Sequence, residues 1–260
     1  MSEEAVYPVV PRPEGTPPVA PIKPAAWIQR WEADGGDVED PPRKPWQVGG
    51  AILKTQAGVA RDLSAGRALG VYVVGCLALI AVASVLYGAA MGCLGGPVQA
   101  LYAAIKFPLV VLGACGLCLP SFYVFQCLMG ARMRFSQAVA SVLLMAAAAS
   151  LILIGCVPIV WFFSVSTGAD SGGFIVALHV ATTALAAAFG IHLLSRMHRY
   201  LLYKRPEMRF FEGRVLALWC GMFVIVALQL ACYLGPLMHE GEFFTGERKL
   251  FVTALSGKSK

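Results

Sequence analysis

Charged side chains are scarce in this sequence. They make up 14% of its 260 residues, whereas a soluble domain has about a quarter. Lys106 is the one formal charge between residues 68 and 131, and Asp170 is the one between residues 135 and 194. Hydrophobic residues reach 58%, and a chain of this length has too few polar groups to cover such runs in water. This composition excludes a soluble globular protein and indicates an integral membrane protein.

Five apolar stretches are each long enough to cross a membrane. A helix crosses a hydrocarbon core of about 30 Å with roughly 20 residues. No stretch has the alternation of a membrane β-barrel strand, so each is expected to be a helix. The predicted fold class is all-α, a polytopic integral membrane protein with a five-helix domain over residues 68–238 and a short polar tail over 239–260. The stretches are 68–94, 107–128, 138–163, 174–194 and 215–234.

The first 47 residues have a composition that does not favour folding. Ten of the sixteen prolines lie there, among Gly, Glu and Asp. Because such a segment buries too little apolar surface to fold alone, residues 1–47 are predicted to be a disordered, proline-rich tail. Trp27 and Trp31 lie four residues apart within it. Exposed aromatic side chains often anchor binding, so these two are predicted to dock on a protein partner or on the membrane; an inert linker is the alternative.

Basic residues near the helix ends indicate the orientation. They concentrate on the side of the amino terminus: Lys54, Arg61, Arg67, Arg132, Arg134, Arg196, Arg199, Lys204, Arg205, Arg209 and Arg214. The other side has Lys106, Arg248 and Lys249. The positive-inside rule therefore predicts a cytoplasmic amino terminus and a carboxy terminus on the opposite side. The expected location is the plasma (inner) membrane. The basic residues from Arg196 to Arg214 are predicted to contact lipid headgroups, and the net charge of +6 is not taken to indicate nucleic acid.

Two segments beside the apolar stretches predict interfacial structure. Residues 48–67 have apolar side chains at helical spacing, which predicts an amphipathic helix on the inner leaflet; a plain linker is the alternative. These side chains are Ile52, Val59 and Leu63. Residues 98–106 predict a second interfacial helix after a Gly-Gly-Pro step, from which Lys106 would reach the headgroups. A re-entrant loop over residues 97–108 is the alternative.

Small residues recur every four positions near the end of the first stretch: Ser84, Gly88, Gly92 and Gly96. A face without large side chains lets helix backbones approach closely, which is a main source of helix association in lipid. The stripe is predicted to pack against another helix of the same chain, and a homo-oligomer interface is the alternative.

The remaining candidates lie inside the apolar stretches. Pro120 and Pro158 occur in the similar segments CLPSFYVF and CVPIVWFF, so they are hinge candidates of the kind found in inverted-repeat transporters, with chance as the alternative. His179 is an intramembrane polar candidate, because ionisable groups in lipid are costly and often functional. Cys115 and Cys118 have redox-motif spacing, but their apolar setting favours packing. No catalytic motif, metal site or cofactor is expected.

One long segment resembles a family of uncharacterised prokaryotic five-helix integral membrane proteins. The resemblance is found at YGAAMG, GPVQALYAAIKFPLVV and LPSFYVFQCLMGARMRF and extends over residues 87–236. A polar tail before five helices, with Gly-Gly-Pro at 95–97, is also similar to the Yip1 family of membrane-trafficking and membrane-shaping proteins. The predicted function is a non-enzymatic scaffold or adaptor, and the alternative is a small transporter or channel subunit.

Overall fold

A computed structural model describes residues 44–128, 133–166, 172–203 and 212–234, together with Gln29, Pro41 and Pro42. All regular secondary structure in these residues is helical. Two short helices come first, α1 (Gln47–Lys54) and α2 (Gln56–Ala65). Five long helices follow: α3 (Leu69–Gly92), α4 (Pro97–Leu128), α5 (Phe135–Ser166), α6 (Gly172–Tyr203) and α7 (Glu212–Tyr233).

Each of the five long helices contains a segment long and apolar enough to cross a membrane. The predicted fold class is therefore confirmed, and the chain is a multi-pass membrane protein. We call the end of the bundle that bears α1 and α2 the amino-terminal end, and the other end the distal end. Since the long helices alternate in direction, the ends of α4 and α6 and the starts of α5 and α7 also lie at the amino-terminal end.

The centre of the bundle is formed by α3 and α5. Helix α3 packs along both α4 and α5, and α6 packs on the other side of α5. Helix α7 is peripheral, because it lies mainly against α4 and contacts α6 at few places. The apolar surface of α7 is accordingly the least covered of the five.

Helix α4 differs from the sequence prediction. Residues 97–128 form one helix of 32 residues with Pro108 inside it, rather than an interfacial helix followed by a crossing. Pro97 begins this helix, where its missing donor costs nothing. The first turns of α4 are supported by protein, because a Cβ placed on Gly88 would lie 2.5 Å from the carbonyl oxygen of Ala103. This register turns Lys106 inward, and its 1% exposure contradicts the predicted position among headgroups.

Helices α1 and α2 also differ from the expected arrangement. The segment is helical, with a break at Thr55. Its apolar face, however, is covered by the bundle instead of facing lipid: Val48, Ile52, Val59 and Leu63 are all buried in the same apolar cluster as Tyr72 and Cys76 of α3.

Candidate functional site

The segment that joins the amino-terminal tail to the bundle is held by a close contact. Val48 and Ile52 of α1 are both 0% exposed. A Cβ on Gly75 of α3 would lie 2.5 Å from the carbonyl oxygen of Pro45 and 2.5 Å from Cγ2 of Val48. Real Cβ atoms do not approach other atoms so closely, so α1 reaches this position only because residue 75 is glycine.

A buried carboxylate fixes the end of α2. The Tyr72 hydroxyl donates a hydrogen bond to Oδ2 of Asp62 across 2.9 Å, which ties α2 to α3. The guanidinium of Arg67 lies 3.1 Å from Oδ1 of the same carboxylate. Gly66, with φ of +70°, provides the left-handed turn that ends α2 and lets Arg67 fold back. The carboxylate therefore has a partner at each oxygen, as a buried charge requires.

Helix α5 completes this attachment. The side-chain amide of Gln137 donates to the carbonyl oxygen of Leu63 across 2.8 Å, and its Oε1 accepts from the backbone N–H of Arg134 across 2.9 Å. The last carbonyls of a helix lack intrahelical donors, and Gln137 provides one for α2. Three elements, α2, α3 and α5, are thus joined by hydrogen bonds at the amino-terminal end.

The consequence is a fixed starting point for the tail. At the start of α1 the backbone N–H of Lys44 donates to the side chain of Gln47 across 3.2 Å, and Trp46 lies on the surface with 74% exposure.

The predicted docking residues, Trp27 and Trp31, lie outside the described residues. The same holds for three of the predicted headgroup contacts, Lys204, Arg205 and Arg209. Of the other predicted headgroup contacts, Arg196 is half-buried, whereas Arg199 and Arg214 are exposed.

A second polar group lies inside the distal half of the bundle. The Tyr87 hydroxyl is 2.6 Å from Oγ1 of Thr182 and 3.2 Å from Nδ1 of His179. Tyr87 lies five residues before the end of α3, and His179 lies seven residues after the start of α6, so the group is about 8–10 Å from the helix ends. Tyr87 is 0% exposed and His179 is 2% exposed, so the group lies inside the bundle rather than on its distal surface.

One nitrogen of the His179 ring is left over in this group. The Thr182 hydroxyl lies 3.0 Å from the carbonyl oxygen of Leu178 and 3.1 Å from that of His179, so it has backbone acceptors as well as Tyr87. Nε2 of His179 has no hydrogen-bond partner in the part of the chain that the structure describes. His179 is 2% exposed, so this nitrogen lies in the interior.

Lys106 lies at the same depth as this group. Gly88, next to Tyr87, contacts both Ala103 and Phe107 of α4, and Lys106 lies between those two residues in sequence. The Tyr87 and Phe107 rings pack with centroids 5.2 Å apart. Lys106 is thus a further buried polar side chain on α4, next in sequence to the residue that packs on Tyr87.

The predicted glycine stripe divides into two parts. Gly88 and Gly92 face α4, and a Cβ on Gly92 would lie 2.6 Å from Cα of Ala100. Gly96 lies in the following turn with φ of +91°, and a Cβ placed there would have nothing within 4 Å. Ser84 is buried, and its hydroxyl has no hydrogen-bond partner among the described residues. The stripe is thus a packing face over Gly88 and Gly92 and a turn at Gly96.

The remaining predicted residues have different surroundings. Pro120 and Pro158 both lie inside continuous helices, on exposed faces. Cys115 and Cys118 are buried free thiols, and the carbonyl of Cys118 accepts a hydrogen bond from Nε1 of Trp219 across 3.2 Å. Within the described residues there is no group of three His, Cys, Asp or Glu side chains that could hold a metal ion.

Comparison with known proteins adds no family to this description: no family model, curated protein or solved structure matches the chain. Sequence reasoning found His179 but missed its partners Tyr87 and Thr182, and it missed Asp62. Asp62 could have been singled out from the sequence, because it is the one acidic residue between positions 41 and 169.

Proposed function

We propose that this membrane protein is a non-enzymatic adaptor that presents its amino-terminal tail from a fixed point on the bundle. The observation that supports the proposal is the contact of α1 with α3, where Gly75 accommodates Pro45 and Val48. A tail that only linked two independent parts would gain nothing from such an attachment. A tail that must reach a partner at a defined distance from the membrane does gain from it.

The energetics favour a permanent attachment. Burying a Val or Ile side chain from water contributes roughly 1.5–3 kcal/mol, and α1 buries both Val48 and Ile52 completely. The hydrogen bonds of Asp62 with Tyr72 and Arg67 add charge-assisted contacts at the end of α2. Together they hold residues 44–65 on the bundle while the tail before them serves the partner.

The tail would recruit its partner through Trp27 and Trp31. The orientation belongs to the same proposal: the tail is cytoplasmic, the carboxy terminus lies on the opposite side, and the membrane is the plasma (inner) membrane. The resemblances to the Yip1 family and to the prokaryotic five-helix family belong to this proposal as well.

The test is affinity purification of the full chain from solubilised native membranes, followed by quantitative mass spectrometry. We expect Trp27→Ala together with Trp31→Ala to lower recovery of a stoichiometric partner at least tenfold without changing membrane insertion. Trp161→Ala is the matched control, because Trp161 is an exposed tryptophan near the distal end of α5. Equal recovery from the double variant and the unmodified chain would contradict the proposal.

A small transporter or channel subunit is the second candidate. The observation that favours it is the buried group of Tyr87, His179 and Thr182, since polar side chains inside membrane bundles often mark solute or proton pathways. Its test is proton or solute flux in proteoliposomes. His179→Ala should abolish the flux, and His192→Ala, an exposed residue of the same helix, should leave it unchanged. Absence of flux from the unmodified protein for every solute tried would favour the adaptor.

A further inference from the structure

One side of α1 faces away from the bundle. Val48 and Ile52 lie on the inner side and are buried, whereas Trp46 is 74% exposed and Leu53 is 57% exposed. Trp46 directly precedes α1 with helical backbone angles, and it is seven residues, about two turns, from Leu53, so both lie on one side. Gly50 lies between them, and a Cβ placed there would have nothing within 4 Å. We call the side formed by Trp46, Gly50 and Leu53 the outer face of α1.

Helix α1 lies beside α3 rather than beyond its end. Gly75, the residue that contacts Pro45 and Val48, lies six residues after the start of α3, or about 9 Å along the helix. A Cβ on Gly49 of α1 would lie 4.0 Å from Cδ2 of Leu79, and Leu79 is about 15 Å from the same start. Because α3 is one of the crossing helices, α1 lies alongside a segment that passes through lipid.

The ion pair at the end of α2 gives a second measure of this depth. The side chain of Arg67 is 52% exposed, and an exposed arginine of a membrane protein lies at the level of water or headgroups. Its partner Asp62 is bonded to Tyr72, three residues after the start of α3. Gly75 comes later in α3, so the contact of α1 lies deeper in the membrane than this charged pair.

The depth agrees with that of helices embedded in a leaflet. The 24 residues of α3 span about 36 Å, which exceeds a hydrocarbon core of roughly 30 Å by about 3 Å at each end. Gly75 is then about 6 Å inside the boundary of the core. Interfacial amphipathic helices lie at a depth of about 5–10 Å.

The side chains at the ends of α1 suit an anionic lipid surface. Lys44 and Lys54 are both exposed, and Nζ of Lys44 lies 4.9 Å from the centroid of the Trp46 ring. No acidic residue occurs between positions 44 and 61. Lysine extends its charge toward headgroups while its stem stays among apolar groups, tryptophan is enriched at membrane interfaces, and basic residues at that level attract anionic lipids.

From these observations we propose that α1 is embedded in the leaflet at the amino-terminal end and binds anionic lipid through its outer face. Trp46 and Leu53 contact the upper part of the acyl chains, and Lys44 and Lys54 contact the headgroups. This arrangement is the reverse of the sequence prediction, because Ile52 faces the bundle and the opposite side of the helix faces lipid. The proposal does not depend on the adaptor function, since it concerns where the tail begins and not what the tail recruits.

The first test is photocrosslinking of the full chain in vesicles of phosphatidylglycerol and phosphatidylcholine in equal amounts. p-Benzoylphenylalanine replaces Leu53 in one variant and Leu117 in the control, where the side chain is 65% exposed and about 17 Å from the end of α4. We expect lipid adducts at position 53 with at least a fifth of the yield at position 117, attached to acyl carbons nearer the glycerol. A lower yield would mean that water covers the outer face, and adducts joining two copies of the chain in excess of lipid adducts would mean that a second copy covers it; both results would overturn the proposal.

The second test measures headgroup preference at position 53 by mass spectrometry of the adducts. Phosphatidylglycerol adducts should exceed phosphatidylcholine adducts at least twofold, and Lys44→Gln together with Lys54→Gln should bring this ratio to about one. Arg214→Gln is the matched control, because it removes an exposed positive charge at the same end of the bundle, on α7, and it should keep the ratio. A ratio near one in the protein with both lysines, or an unchanged ratio in the double variant, would overturn the binding of anionic headgroups.

Discussion

Gly75 lies directly against Val48: a Cβ at position 75 would be 2.5 Å from Cγ2 of Val48. The contact joins the segment after the tail to the first membrane helix. It is possible only where α3 lacks a side chain, and α3 has glycine at this position. The attachment of α1 therefore depends on one residue, which can be replaced without adding a polar group to the helix.

Gly75→Val should release α1 from the bundle. The added side chain would overlap Val48 and the carbonyl of Pro45, and overpacking typically costs about 1–3 kcal/mol. Backbone amide exchange over residues 48–54 should become at least tenfold faster, measured by mass spectrometry in detergent. Gly70→Val is the matched control, because a Cβ at Gly70 would have nothing within 4 Å. Unchanged exchange in Gly75→Val would mean that α1 does not depend on this contact.

Substitutions around Asp62 should rank in a fixed order. Asp62→Ala should cost the most stability, about 1.5–3 kcal/mol for lost hydrogen bonds to a charged group, because it also leaves the Tyr72 hydroxyl without its acceptor. Tyr72→Phe should cost less, since Arg67 still pairs with the carboxylate. Arg67→Gln should cost less than about 1 kcal/mol, because its side chain is half exposed. Thermal unfolding in detergent measures the order, and a larger effect of Arg67→Gln than of Asp62→Ala would contradict it.

The glycine stripe should act within one chain. Gly88→Val would force α3 away from α4, because a Cβ at this position already lies 2.5 Å from the Ala103 carbonyl oxygen and 3.0 Å from the Phe107 side chain. We expect a clear fall in the unfolding temperature with no change in the mass of the detergent-solubilised particle. Gly116→Val serves as the control, since nothing lies within 4 Å of that position. A change in oligomeric state at unaltered stability would instead support the homo-oligomer alternative.

Removal of the Tyr87 hydroxyl should destabilise the distal half of the bundle modestly. Tyr87→Phe leaves Nδ1 of His179 without its hydrogen-bond partner, and hydrogen bonds between membrane helices average about 0.6 kcal/mol in double-mutant cycles. The cycle of Tyr87→Phe and His179→Ala should give a coupling energy of about that size in thermal unfolding. Tyr233→Phe, at an exposed position, is the control. Additive effects of the two substitutions would show that the contact contributes nothing.

Hydropathy was sufficient to predict the five long helices, because length and apolar composition decide whether a segment can cross a bilayer. It could not predict their rotation or register, since α3, α4 and α5 are apolar on all sides and no polar face orients them. Lys106 illustrates the limit. Its charge indicated a headgroup contact, but the approach of Gly88 to Ala103 fixes a register that places the side chain inside the protein.

The polar contacts were less predictable than the helices. Tyr87 and His179 are 92 residues apart in sequence, and Gln137 is 74 residues from Leu63. Such pairs depend on which helices are neighbours, and a single hydropathy profile does not contain that order. The amphipathic pattern of residues 48–67 predicted a helix, but the same pattern suits a lipid surface and a protein groove equally well, so it could not identify the surface that covers it.

Partner recovery after removal of the tail tests the adaptor account most directly. The structure gives the boundary for this deletion: residues 1–43 can be removed while Lys44, Pro45 and α1 keep their contacts with Gln47 and Gly75. We expect the shortened chain to insert, fold and unfold like the full chain, and to lose its stoichiometric partner at least tenfold in quantitative affinity purification. Recovery of the same partners in the same amounts from the shortened and full chains would contradict the account.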